Sequence, residues 1–339
     1  MNKFWITFLV LIACSASAFG QTFIQNTMYD QNRFVYNPAT AGQDDKGTSS
    51  AWSMMLLGRL QWAGIDGSPQ LASLSAHRGF DFGGIGAYVM RDGVGPLSST
   101  SINVSYASNP ISLPGESSLS LGLSVGISQR AINMTVLSVD PDPILPDIGT
   151  LLSGSVTAPN LSLGITYRKL TDGFEQLFVG VSGHDLTEPS ISDLVLSSIN
   201  GNVSNVPRSF YLQASYRIPI GNWTSLTYNY VQPSVMVRTQ GAVLQTDVSL
   251  KAKYSALHAG FNYRGLAFAG GNSESVGGIL GFEVDDANRW FFGYSFDYNL
   301  TGLNINGGAS SHEIVISYKI GGGRKSGNVV KPGDVIKKN

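Results

Sequence analysis

The sequence predicts an all-β fold: a transmembrane antiparallel β-barrel of about 14 strands, with short periplasmic turns and longer outer loops. Three observations predict it. Hydrophobic residues recur with a period of two rather than 3.6 along most of the 339-residue chain. The clearer alternating segments are about 9–12 residues long, the length of a tilted membrane strand, against about 5–6 for an ordinary strand. Only 13% of residues are charged, against about 25% in soluble domains. A water-facing β-sandwich would alternate too, but its polar faces should be rich in Lys and Glu. These are rich in Ser, Gly, Thr and Asn.

Taken in order, residues 1–20 read as a signal peptide. Lys3 supplies the positive start, Phe4 to Ala13 the short apolar run, and Ala16-Ser17-Ala18 or Ala18-Phe19-Gly20 the small residues for cleavage. The run is too short to span a membrane as a helix. Leu11-Ile12-Ala13-Cys14 also fits a lipobox, which would make Cys14 a lipidated N-terminus. Residues 21–50 form a periplasmic lead-in, or one folded into the lumen. The barrel itself is expected over 51–320.

Within it, Leu119, Leu121, Leu123, Val125 and Ile127 alternate with Ser and Gly; Trp290, Phe292, Tyr294, Phe296 and Tyr298 do the same. Fourteen segments centre near residues 55, 74, 87, 103, 123, 164, 178, 213, 227, 249, 260, 281, 294 and 315. Tight turns follow strands 6, 8, 10 and 12, among them Pro219-Ile220-Gly221-Asn222. Long loops follow strands 5 and 7, from Arg130 to Pro159 and from His184 to Val206. An even strand count puts both termini in the periplasm. Tyr106, Tyr167, Tyr216, Tyr254 and Tyr318 then close descending strands as an inner aromatic girdle. The polar faces carry Arg168, Arg217, Lys251, Lys253 and Arg264. Residues 321–339 form a basic Gly- and Lys-rich periplasmic tail.

Several chemistries find no support. A net charge of -1 gives no field for nucleic acid. One cysteine and four scattered histidines supply no metal site, and no cofactor is expected. Gly122-Leu123-Ser124-Val125-Gly126 matches the nucleophile elbow of serine hydrolases, but that motif needs a strand-to-helix turn. Here it sits inside the cleanest alternating strand, so no enzyme is expected. His258 reads as a lumenal hydrogen bonder.

An ordered set of motifs identifies a family. Tyr36-Asn37-Pro38-Ala39-Thr40-Ala41-Gly42 follows the leader, then Arg59-Leu60-Gln61-Trp62-Ala63-Gly64 and Gly67-Ser68-Pro69. Near the end come Gly293-Tyr294-Ser295-Phe296-Asp297-Tyr298 and Ser311-His312-Glu313-Ile314. With Pro159-Asn160 and Pro233-Ser234, the chain resembles the PorP/SprF family of the Bacteroidota type IX secretion system. The resemblance implies an outer-membrane barrel that anchors or assists export of a secreted surface protein, such as a gliding adhesin, bearing a C-terminal sorting domain. It also implies contact, as in some members, with a periplasmic peptidoglycan-binding lipoprotein. Asn37, Pro38, Gly42, Arg59, Gln61, Trp62, His312 and Glu313 carry the motif. Pro38 and Gly42 suit a fixed turn, and Trp62 an outer aromatic belt.

The expected partner surface is the first long loop. Its prolines Pro141, Pro143 and Pro146 restrict the backbone, and its apolar Ile144, Leu145, Ile148, Leu151 and Leu152 suit a contact surface or packing into the barrel mouth. The competing function is a passive or hydrophobic-solute channel on the same architecture.

Overall fold

The alternation closes into a barrel. In a computed structural model that describes residues 25–44, 47–48, 51–133, 154–171, 173–190, 205–221, 228–241, 243–265, 273–284, 290–301 and 310–320, fourteen long strands form one antiparallel sheet. They are β1 Trp52–Ala63, β2 Gln70–Phe80, β3 Gly83–Val94, β4 Leu97–Ala107, β5 Ser117–Ile132, β6 Gly154–Thr171 and β7 Phe174–His184. The second half comprises β8 Ser209–Tyr216, β9 Tyr230–Gln240, β10 Val243–Tyr254, β11 Leu257–Gly265, β12 Ser273–Val284, β13 Trp290–Asn299 and β14 Ser310–Ile320. Neighbours in sequence pair in order, and β14 pairs back onto β1 with Trp52 opposite Ile320. Closure leaves no sheet edge, so every strand can satisfy its backbone groups without water.

The burial pattern inverts that of a soluble protein. Along β13 residues alternate strictly, with Trp290, Phe292, Tyr294, Phe296 and Tyr298 exposed and Ser295, Asp297 and Asn299 buried. Most greasy side chains face outward to lipid and the polar ones face the lumen, where Leu57, Leu71, Ile279, Phe291 and Val315 also gather around Met28. Tyr106, Tyr216 and Tyr254 lie on the outer face near the rim where β1 begins and β14 ends, here termed the terminal rim. Trp290 stacks on Tyr318 at 4.1 Å in the same band. Among the described residues no helix is long and apolar enough to cross a membrane.

The two longest connections, between β5 and β6 and between β7 and β8, leave and rejoin the barrel at the opposite, distal rim. Two expected boundaries shift. β5 and β6 pair as far as Ile132 with Gly154, well into the segment read as loop. Beyond the greasy band, Gln129, Arg130, Ser155 and Thr157 continue the ladder without the hydrophobic signal that reveals it. His184 likewise ends β7 instead of opening a loop, and it is buried.

The ninth strand is the larger correction. It starts at Tyr230 instead of centring near 227, so the connection after β8 is not a tight turn at Pro219 to Asn222. Thr224, Leu226 and Tyr228 alternate well, and Pro233 reads as a stop because it lacks an N–H. The barrel tolerates Pro233 because the β8–β9 ladder is interrupted there. Pairing runs from Ser209 to Ser215, then resumes with a short strand at Ile218–Pro219 opposite Val231 and Tyr230.

Candidate functional site

The lumen is filled by the chain's own N-terminal segment. Residues 25–44 run through it with one short helix, α1 Arg33–Tyr36, and a 3-10 turn at Pro38–Thr40. Met28, Val35, Tyr36 and Ala39 have no exposed surface. The segment meets the wall in two chemically different seats.

The first seat is made by shape. Asn37 accepts a bond from the Ala39 N–H at 3.0 Å and Pro38 opens the turn, where its missing N–H costs nothing. The Asn37 amide donates to the carbonyls of Ile165 and Val181 at 3.1 and 3.2 Å, tying the turn to β6 and β7. Opposite it runs a lateral row of small wall residues: Gly84, Ala107, Gly122, Gly164 and Ser182 are register partners across β3 to β7. A Cβ on Gly122 would lie 2.1 Å from the Ala39 nitrogen, one on Gly84 1.9 Å from the Ala41 oxygen, and one on Gly164 2.0 Å from Asn37 Oδ1. The glycines of the supposed nucleophile elbow thus include a docking position. Gly42 turns with φ of +70°, and its N–H donates to His77 Nδ1 at 3.0 Å. The Tyr36 carbonyl accepts from Ser182 Oγ at 2.6 Å and from His184 Nε2 at 2.5 Å.

Charge makes the second seat. Arg59 on β1 pairs with Asp297 at 2.8 Å and Glu313 at 3.2 Å, from β13 and β14. Thr27 sits among them. Its N–H and that of Met28 donate to the Glu313 carboxylate at 2.7 and 2.9 Å, and its hydroxyl donates to Asp297 at 2.6 Å. The ladder continues to Arg264, Asp247 and Arg238 on β11, β10 and β9. Further along, Asp30 meets Lys251 and Gln232, while Arg33 pairs with Glu175 at 2.6 Å and lies over the Phe178 ring. Glu175 also receives Arg168. Removing one member of such a buried set typically costs 3–5 kcal/mol.

Burial pushes the Tyr36 phenol up, which keeps it a donor to Asn26 Oδ1. Between the segment and the terminal rim lies a vestibule lined by Arg33, Arg168, Arg217, Asp44, Lys319 and Tyr230, among others.

The structure brings together Asn37, Pro38 and Gly42 in the first seat, and Arg59 and Glu313 in the second. Gln61 is buried on the lumenal face of β1. Trp62 is half-buried at the distal end of β1 with φ of 55°. His312 is not part of the site: it faces outward and bonds the Tyr294 hydroxyl at 2.7 Å. Ile144, Leu145, Ile148, Leu151 and Leu152 lie outside the described residues, as do the leader with Cys14 and the tail. His258 is lumenal and lies 3.1 Å from Glu283. Sequence reasoning missed Thr27, Asp30, Arg33, Asp247 and Glu175. For Asp247 and Glu175 a signal existed, since a lone carboxylate on a polar strand face calls for a lumenal cation.

A profile described as type IX secretion system membrane protein PorP/SprF matches residues 18–318. No curated protein matches the sequence. Similar solved structures include the Pseudomonas putida toluene transporter TodX, with 11% identity, TM-score 0.44, and 88% of this chain and 94% of that one covered. The Ralstonia pickettii toluene transporter TbuX has 10% identity and TM-score 0.44, with 85% and 92% covered. The Acinetobacter baumannii outer membrane protein Omp33 has 10% identity and TM-score 0.40, with 80% and 99% covered.

Proposed function

Because the chain belongs to the PorP/SprF family of type IX secretion system membrane proteins, we propose that it holds or assists export of a secreted surface protein at the outer membrane. The partner carries a type IX C-terminal sorting domain and engages the long connections at the distal rim, which faces outward. The terminal rim faces the periplasm, where a peptidoglycan-binding lipoprotein is the second partner. The filled lumen is the observation that carries this reading. A wall seated so closely around residues 25–44 is no open passive pore. With the lumen occupied, the rims are the surfaces open to a large partner.

The test is affinity purification of tagged protein from crosslinked outer membranes. A large secreted protein with a sorting domain should co-purify, and deletion of residues 134–153 should abolish its recovery. Recovery of the barrel alone would overturn the reading.

A further inference from the structure

We propose that the segment from Gln25 to Asp44 is a removable plug, and that the lumen behind it is a conduit for small hydrophilic anions. The wall is built to survive the plug's departure. Arg59 with Asp297 and Glu313, Arg264 with Asp247, and Lys253 with Glu283 are pairs of wall residue with wall residue. Without the plug, Glu175 loses Arg33 but keeps Arg168 and Arg217. Ser234 and Ser249 lose the Tyr29 hydroxyl but keep each other at 2.7 Å. Lys251 loses the carboxylate of Asp30, and Glu313 loses two plug N–H donors. Three ion pairs cross the interface, Arg33–Glu175, Asp30–Lys251 and Asp44–Lys319; the larger set lies within the wall and does not depend on the plug.

The plug is also separate in topology. Its only strand, Gln43–Asp44, pairs with Gly47–Thr48 and joins the barrel sheet nowhere. Barrels of eight strands are filled by their own side chains, whereas those of about 16–18 leave an aqueous channel. Fourteen strands lie near the second case, so the vacated lumen fills with water. Its selectivity follows from its charges. Seven cations and four anions are buried among the described wall residues, and Glu283 beside Lys253 makes a fifth lumenal anion. Ser, Asn and Gln supply the remaining hydrophilic surface.

Conductance in planar bilayers tests the proposal without any secreted partner, so its failure is distinct from failure of the secretion reading. The full chain should be closed. A variant lacking residues 25–44 should conduct steadily, with a reversal potential in a potassium chloride gradient shifted toward chloride. Glu313→Ala, which removes the acceptor of the Thr27 and Met28 N–H groups, should give intermittent openings. A deletion variant that migrates as a folded, heat-modifiable barrel and does not conduct overturns the plug. One that conducts with cation preference overturns the anion assignment.

Should the deletion fail to fold, full-chain Val35→Cys replaces it. Val35 has no exposed surface, and the sequence has a single cysteine, Cys14. Labelling by a hydrophilic maleimide should be at least tenfold faster when Glu313→Ala is added. Equal rates overturn the proposal.

Discussion

The two seats of the plug hold the same segment by opposite means. On β3 to β7 the wall withdraws, offering Gly84, Ala107, Gly122 and Gly164 so that backbone meets backbone. On β9 to β14 and β1 it reaches inward with Arg59, Asp247, Arg264, Asp297 and Glu313. Shape complementarity is cheap to build and tolerates no added atom. A charged seat tolerates small displacements, but it loses heavily when one member is removed and its partner stays buried. The difference teaches where each half is vulnerable: the first to gaining a methyl group, the second to losing a charge.

The largest effect should therefore come from the charged side. Arg59→Ala takes from Asp297 and Glu313 the cation they share and should cost about 3–5 kcal/mol, read as a lower midpoint in urea unfolding of the detergent-solubilised protein. On the shaped side, Gly122→Val should cost about 1–3 kcal/mol by overpacking and should speed hydrogen exchange at Ala39 and Thr40. Gly58→Val is its control. A Cβ there meets nothing within 4 Å, so no change in either measurement is expected; equal effects at both glycines would erase the contrast. Asn37→Ala removes the cap and two ties to the wall and should cost about 1 kcal/mol, visible as faster exchange confined to the turn. An effect no larger belongs outside both seats. His312→Phe loses two hydrogen bonds on the outer face, to Tyr294 and Ser310, and should cost about 1 kcal/mol with the plug unmoved.

Most of the barrel was legible in the sequence because lipid on one side and a polar lumen on the other impose a period-two pattern on nearly every strand. Legibility failed where that contrast lapsed. The upper ends of β5 and β6 have no lipid to face, and β9 hides behind Pro233 and the better-alternating segment before it. The seats were half legible. Asn37, Pro38 and Gly42 announce a turn, and Arg59 and Glu313 stand out as charges on apolar strands. That Asn37 rests against Gly164, or Thr27 against Glu313, is a long-range contact that no local pattern encodes. Gly122 shows the hazard of reading spacing alone, since its environment is the flank of a strand facing a backbone.

The charged seat has a consequence for assembly. Thr27 stands 286 residues before Glu313, whose carboxylate its N–H requires. The segment made first is thus among the last to find its partners, because they sit on the strand that closes the cylinder. Contacts so far apart along the chain form slowly. Until β14 docks against β1, the early segment remains an unfulfilled template, and its docking and the closing of the wall become a single event.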